Sequence, residues 1–287
     1  MMRRAARGPS AAVQTAQADK AWQRAQHATR RWALWGAAAG LLLGALLFAP
    51  ASWLASSLAQ ASGERLLLAD ARGSIWNGNA VLLLAGGPGS MDAAALPGRL
   101  RWRIRPAWRG LHITAEQACC LNGKLRLQLQ PGLSGFTLVL PPQQQAIGQW
   151  PARWLAGLGT PWNTLQLGGM LHLSSPGLTV EQVAGRTRIT GALELQVQSL
   201  SSRLSTVDSL GSYRLNLRSD AAAGDAAQLT LDTLEGALRL SGNGQWTGAR
   251  LRFRGQAQAA EGQESALANL LNIIGRRQGA LSVISIG

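Results

Sequence analysis

Leucine returns at every second position through much of this chain, and no other feature limits its fold more. Leu125, Leu127 and Leu129 in KLRLQLQ, Leu193, Leu195 and Val197 in ALELQVQ, and Leu215 and Leu217 in YRLNLRS each alternate with polar or charged residues. So do Leu100, Trp102 and Ile104 in RLRWRIR, Leu229 and Leu231 in QLTLD, Leu238 and Leu240 in ALRLSG, and Leu251 and Phe253 in RLRFRG. Successive side chains of a strand point to opposite faces, so this pattern gives each strand one apolar and one wet face. Antiparallel sheet packed on a single side satisfies it. Leucine is a mediocre strand former, so the alternation carries the inference and propensity does not. It predicts a mainly β chain with strands of about 4 to 10 residues.

The first sixty residues break this pattern. Residues 1–31 hold seven basic groups and one acid, Asp19, and then no charge appears from Trp32 to Gly63. Trp32 to Trp53 is 22 residues, about 33 Å as a helix against a hydrocarbon core of about 30 Å. Trp32 and Trp35 would mark one interface and Trp53 the other. The bases ahead of the run place the N-terminus in the cytoplasm and the bulk of the chain across the membrane. Ala59-Gln60-Ala61 has the form of a cleavage site, but the long leader and uninterrupted apolar run fit an uncleaved anchor better. A soluble core helix is seldom apolar on every face.

The net charge of +14 is almost all arginine, with Lys20 and Lys124 the only lysines, and beyond residue 31 it is spread thinly. The total is therefore no signal for nucleic acid. The expected organisation is a basic cytoplasmic tail over 1–31 and a transmembrane anchor with a juxtamembrane helix over 32–58. A first β unit follows over 65–141, then a connecting segment over 142–164, then a second β unit over 165–287. The connector holds a short helix over 151–158, opened by Pro151 and stopped at Gly159. Near the C-terminus, Leu267, Leu270, Leu271 and Ile274 mark one helix face, with Glu261 and Glu264 at its start and Arg276 and Arg277 at its end. LSVISIG reads as a last strand.

GSIWNG (73–78) opens the first β unit and GNGQWTG (242–248) sits late in the second, so the two units are expected to be related. The favoured reading is that Trp76 and Trp246 plug small cores while the glycines let the strands bend around the rings. The other reading makes both rings exposed anchors for a partner.

Groups for chemistry are few. His112 and His172 lie in strand-like segments with no Cys, Asp or Glu at ligand spacing, and no nucleophile elbow, phosphate loop or dinucleotide loop occurs. No catalytic residue, metal or cofactor is expected, and the chain is not read as an enzyme. Cys119 and Cys120 are adjacent and could form a vicinal disulfide that stiffens a turn, or stay as buried thiols. In RLRWRIRPAWRG, Arg99, Arg101, Arg103 and Arg105 share one strand face. Such a ladder is a solvated face, and outside the cytoplasm anionic lipid headgroups or an acidic partner suit it better than nucleic acid.

The anchor, then ARGSIWNGNA, LPGRLRWRIRP, WLAGLGTPWNTLQLGG and the ending LLNIIGRRQGALSVISIG occur in that order. Together they resemble the type II secretion system protein N family from about residue 33 to 287. The resemblance implies a single-pass inner-membrane protein with a cytoplasmic N-terminus and a periplasmic β-rich bulk. It also implies an accessory role, through contacts with inner-membrane components or the outer-membrane secretin, in export of folded periplasmic proteins. Gly73, Trp76, Gly78, Trp102, Pro106, Trp162, Asn163, Gly275, Arg276 and Arg277 match the family pattern as structural or contact residues, and Trp246 joins them on its own glycines. The resemblance brings no catalytic residue and no cofactor. Segments like GSIWNG also occur in AsmA-type proteins, which leaves an alternative: a lipid-binding or chaperone-like β groove whose apolar face stays open to acyl chains. A large open apolar face would favour the groove, a closed leucine core the interaction subunit.

Overall fold

Each alternating segment forms a strand, and the strands join one antiparallel sheet. The computed structural model describes residues 32–132, 134–143, 145–219, 226–248 and 250–287, so the basic tail over 1–31 lies outside the described residues. The chain divides after Ala49 into two units, Met1–Ala49 and Pro50–Gly287.

In the first unit, residues 32–47 form helix α1, whose large side chains, among them Trp32, Trp35, Leu41 and Leu42, are exposed. The uncharged run is not one helix through to Trp53. Pro50 has no N–H to give and disfavours helical backbone in the residue before it, so α1 stops and α2 (Ala51–Ala61) starts with Pro50 as its N-cap. No described helix is long and apolar enough to cross a membrane.

The second unit begins with α2. The first strands are β1 (Leu66–Gly73), β2 (Asn77–Ala85), β3 (Ala93–Ala95), β4 (Leu100–Ala107), β5 (Gly110–Glu116), β6 (Lys124–Pro131), β7 (Gly135–Leu140) and β8 (Gly148–Pro151). A 3-10 helix (Ala152–Leu158) lies where the sequence places a short helix, and α3 (Trp162–Leu165) follows it. Then come β9 (Leu167–Val183), β10 (Arg186–Ser202), β11 (Gly211–Ser219), β12 (Ala226–Glu235), β13 (Leu238–Thr247) and β14 (Arg250–Ala259). Helix α4 (Glu264–Ile274), β15 (Arg276–Gln278) and β16 (Leu281–Ile286) end the chain. The sheet order is β1-β2-β4-β5-β6-β7-β9-β10-β11-β12-β13-β14-β16-β15, with β3 paired to β2 and β8 to β9.

Register keeps the apolar residues on one face from strand to strand, because a one-residue slip would turn each leucine into water. Ile104 faces Ile113, Ile113 faces Leu127, Leu129 faces Leu138, and Leu138 faces Val180. Farther along, Leu195 faces Leu215 and Leu215 faces Leu231.

Strands β9 and β10 are each 17 residues long, beyond the 4 to 10 expected. The pair runs through Pro176-Gly177 and Gly191 by a register shift between Ala192 and Glu194. Gly177 and Gly191 have φ of +134° and +109°, and a Cβ on Gly191 would lie 2.2 Å from the Gly177 carbonyl oxygen. β7 pairs with the second half of β9 and β8 with the first, so this long hairpin joins the early strands to the late ones.

Two apolar clusters close parts of the apolar face. Leu267, Leu270 and Leu271 of α4 pack with Leu165, Leu167, Leu171, Leu210, Leu238 and Ala257. The apolar stripe read from the sequence is thus the buried face of α4. Near the start of the sheet, Ala51 of α2 packs on Ala80 and Trp102, with Leu54, Leu68, Ala71 and Ile104 beside them. Tyr213 stands near the first cluster, its hydroxyl 3.1 Å from the Leu210 carbonyl oxygen and 2.8 Å from that of Leu238. Burial pushes its phenol up from the ordinary tyrosine value, so it stays a neutral donor to these carbonyls.

Candidate interaction surface

The glycine-flanked tryptophans resolve into a different device from the one expected. Gly73 ends β1 with φ of +91°, and Ser74 N–H donates to the Asn77 carbonyl oxygen across the turn at 3.0 Å. Gly78 sits directly across from Trp102. A Cβ on Gly78 would lie 2.5 Å from the Trp102 ring and 2.7 Å from the Arg72 carbonyl oxygen. The indole over Gly78 is only 5% exposed, and its Nε1–H donates to the Ile75 carbonyl oxygen at 3.1 Å. Trp76 itself is half-buried, and its carbonyl oxygen accepts from Ile104 N–H at 2.7 Å.

The second motif repeats the arrangement. Gly242 pairs with Gly255 and Gly244 with Phe253, and Cβ atoms on Gly242 and Gly255 would lie 2.5 and 2.9 Å from the Phe253 ring. Phe253 is buried, whereas Trp246 is half-buried and donates its Nε1–H to the Gly248 carbonyl oxygen at 3.1 Å. The rings that fill the core are therefore Trp102 and Phe253, not Trp76 and Trp246. In both motifs a strand glycine makes room for an aromatic ring on the neighbouring strand.

The opposite face of β4, β5 and β6 is cationic. Register aligns Arg101 with Glu116 and Lys124, Arg103 with Thr114 and Arg126, and Arg105 with His112 and Gln128. These residues line a shallow depression of about 940 Å³. Lys124 pairs with Glu116 at 3.2 Å. The ladder expected from Arg99 onward begins at Arg101 instead. Arg99 precedes β4 and turns to Asp70, Nη1 to Oδ2 at 2.7 Å, while Arg72 meets the same carboxylate at 2.9 Å. Hydrogen bonds from Arg99 and Arg72 hold the Asp70 carboxyl below its ordinary range.

This sheet and its C-terminal helix are the region matched by the family model for the type II secretion system (T2SS), protein N, which covers residues 64–283. The chain belongs to that family. No curated protein and no solved structure matches the chain. The family span starts at Glu64, after α2, and ends within β16, so the family likeness rests in the sheet and α4. It marks the chain as a type II secretion component.

The residues matched to the family pattern do not converge on one site. Gly73, Trp76, Gly78, Trp102 and Pro106 belong to the β1-β2-β4 corner, with Pro106 exposed opposite Leu111. Trp162 is partly exposed in α3, and Asn163 beside it donates Nδ2–H to Asp92 Oδ2 at 3.1 Å. Gly275 joins α4 to β15 with extended backbone, where a Cβ would lie 2.6 Å from the Val283 carbonyl oxygen. Arg276 and Arg277 are exposed along β15, across from Val283 and Ser282. Cys119 and Cys120 are joined as a disulfide, and the Cys120 carbonyl oxygen accepts from Gln149 N–H at 2.8 Å, tying that turn to β8. His112 and His172 are residues of β5 and β9. Among the described residues, no three His, Cys, Asp or Glu side chains are grouped to hold a metal.

Sequence reasoning missed that Arg126, His112 and Lys124 join the β4 arginines. Their contribution depends on register between strands, which no local window contains.

Proposed function

We propose that the chain is an accessory component of the type II secretion apparatus, tethered in the inner membrane by α1 and acting through protein contacts of its periplasmic sheet, without chemistry of its own. The family match across the whole sheet carries this reading. The exposed apolar side chains of α1 support the tether, since in water they would remain unburied. The basic tail ahead of α1 gives the orientation. The chain is expected to stay with membranes through alkaline extraction, and alkaline phosphatase fused after Gly287 to be active in cells. An inactive fusion beside an active cytoplasmic reporter at the same site would overturn the topology.

One observation favours the lipid-groove alternative. Between the two closed clusters, Ile113, Leu127, Leu129 and Leu138 are only half-buried and belong to neither. An acyl chain could lie along such a strip. Mild extraction followed by mass spectrometry of copurifying lipid distinguishes the two. Stoichiometric lipid would favour the groove, and lipid-free chain the interaction subunit.

A further inference from the structure

The β4-β5 hairpin ends in the pair Trp108-Arg109, and Trp108 is fully exposed. A lone exposed apolar side chain is ordinary, so it is the surroundings of Trp108, and not its exposure alone, that point to an occupant. Pro50, three residues after the end of α1, is bridged to Ser74 in the β1-β2 turn. Arg103 of β4 lies level with Asn77 of that turn, and β4 continues in the same direction. Five further residues carry Trp108 about 17 Å beyond the turn. The β6-β7 and β9-β10 turns lie at this same end, and beside them Phe136 and Val183 are exposed.

Charge separates the two ends of these strands. Over residues 72–78, 103–112, 128–137 and 179–188 there are six arginines, Arg72, Arg103, Arg105, Arg109, Arg186 and Arg188, and one carboxylate, Glu181. Arg72 is turned back onto Asp70, and Arg188 lies across from Glu181. Toward the other end the charges are mixed and nearly balanced, with Glu64, Asp70, Asp92 and Glu116 among Arg65, Arg99, Arg101, Lys124 and Arg126. An exposed indole among guanidinium groups is the composition that settles into a phospholipid headgroup layer, the ring at the interface and the cations on phosphate. An acidic protein surface would engage the arginines too, and it is the place of this hairpin at the end of the sheet that carries Pro50 that favours the bilayer.

We propose that the β4-β5 hairpin is a second membrane contact, with Trp108 entering the headgroup layer of an anionic bilayer and Arg105 and Arg109 facing its phosphates. This inference rests on the tethering of α1. Three residues reach at most about 11 Å, so a bilayer holding the end of α1 brings Pro50 and this end of the sheet to its surface. The contact would fix the orientation of the sheet on the membrane, which a tether alone leaves free.

The test uses the full chain in vesicles of phosphatidylcholine with or without phosphatidylglycerol. An environment-sensitive fluorophore is placed at Ala107→Cys, beside the tip and outside the proposed contacts, or at Met91→Cys, a fully exposed position toward the opposite end. Labelling without reductant keeps the Cys119-Cys120 bridge closed. With phosphatidylglycerol present, acrylamide is expected to quench the label at 107 several-fold less than the label at 91, and adding Trp108→Ser should erase the difference. Equal quenching at the two positions overturns the inference, and so does equal protection in phosphatidylcholine alone. Protection that appears only after other secretion components are added assigns the tip to a protein and overturns it too. Loss of the chain from vesicles on alkaline washing is a separate result: it removes the tether, and this inference with it.

Discussion

Replacing Trp102 with alanine is expected to cost about 3–5 kcal/mol, the largest stability loss of any single substitution considered for this chain. The ring is buried over Gly78, which has no Cβ to fill the space left behind. Ala51 and Ala80, its neighbours in the cluster, are too small to collapse into the cavity. The Ile75 carbonyl oxygen would also lose the indole N–H. Trp76→Ala, at a half-buried ring, should cost less, on the order of 1–2 kcal/mol. Denaturant unfolding of the full chain, followed by near-ultraviolet circular dichroism, compares the two. A larger loss at Trp76 than at Trp102 would contradict the assignment of the core ring.

That contrast also marks where the sequence could be read and where it could not. Period-2 alternation is a local signal, and each segment that shows it became a strand with its leucines on the shared face. The α4 stripe and the turn from Pro151 into the 3-10 helix are local as well. The pairing of Gly78 with Trp102 is not, because 24 positions separate them and only register brings them together. A tryptophan beside its own glycines is therefore a misleading cue, since on a strand the open space belongs to the residue across the ladder. Arg99 left the arginine ladder for a similar reason. Its partner Asp70 sits 29 residues earlier, and alternation alone says nothing about such a bond. The 17-residue lengths of β9 and β10 were not legible either, since the two strands pair through Pro176-Gly177 by a bulge that depends on the partner strand. The break between α1 and α2 at Pro50 was missed in favour of one span from Trp32 to Trp53, although a proline that ends a helix is itself a local signal.

The second large effect expected is on export. A tethered partner works at an effective concentration on the order of millimolar, so contacts too weak to matter in solution can still assemble a machine. Removing the chain should then lower type II export sharply while leaving transport into the periplasm unchanged, and the sheet released from α1 should restore export poorly. Both follow if the family's sheet acts by binding and α1 supplies proximity. The deciding measurement is the activity of a type II substrate enzyme in culture supernatants of the deletion strain, the strain carrying the full chain, and the strain carrying residues 50–287 behind a cleavable export signal. The account predicts low activity in the first, full recovery in the second and little recovery in the third; normal supernatant activity in the deletion strain would contradict it.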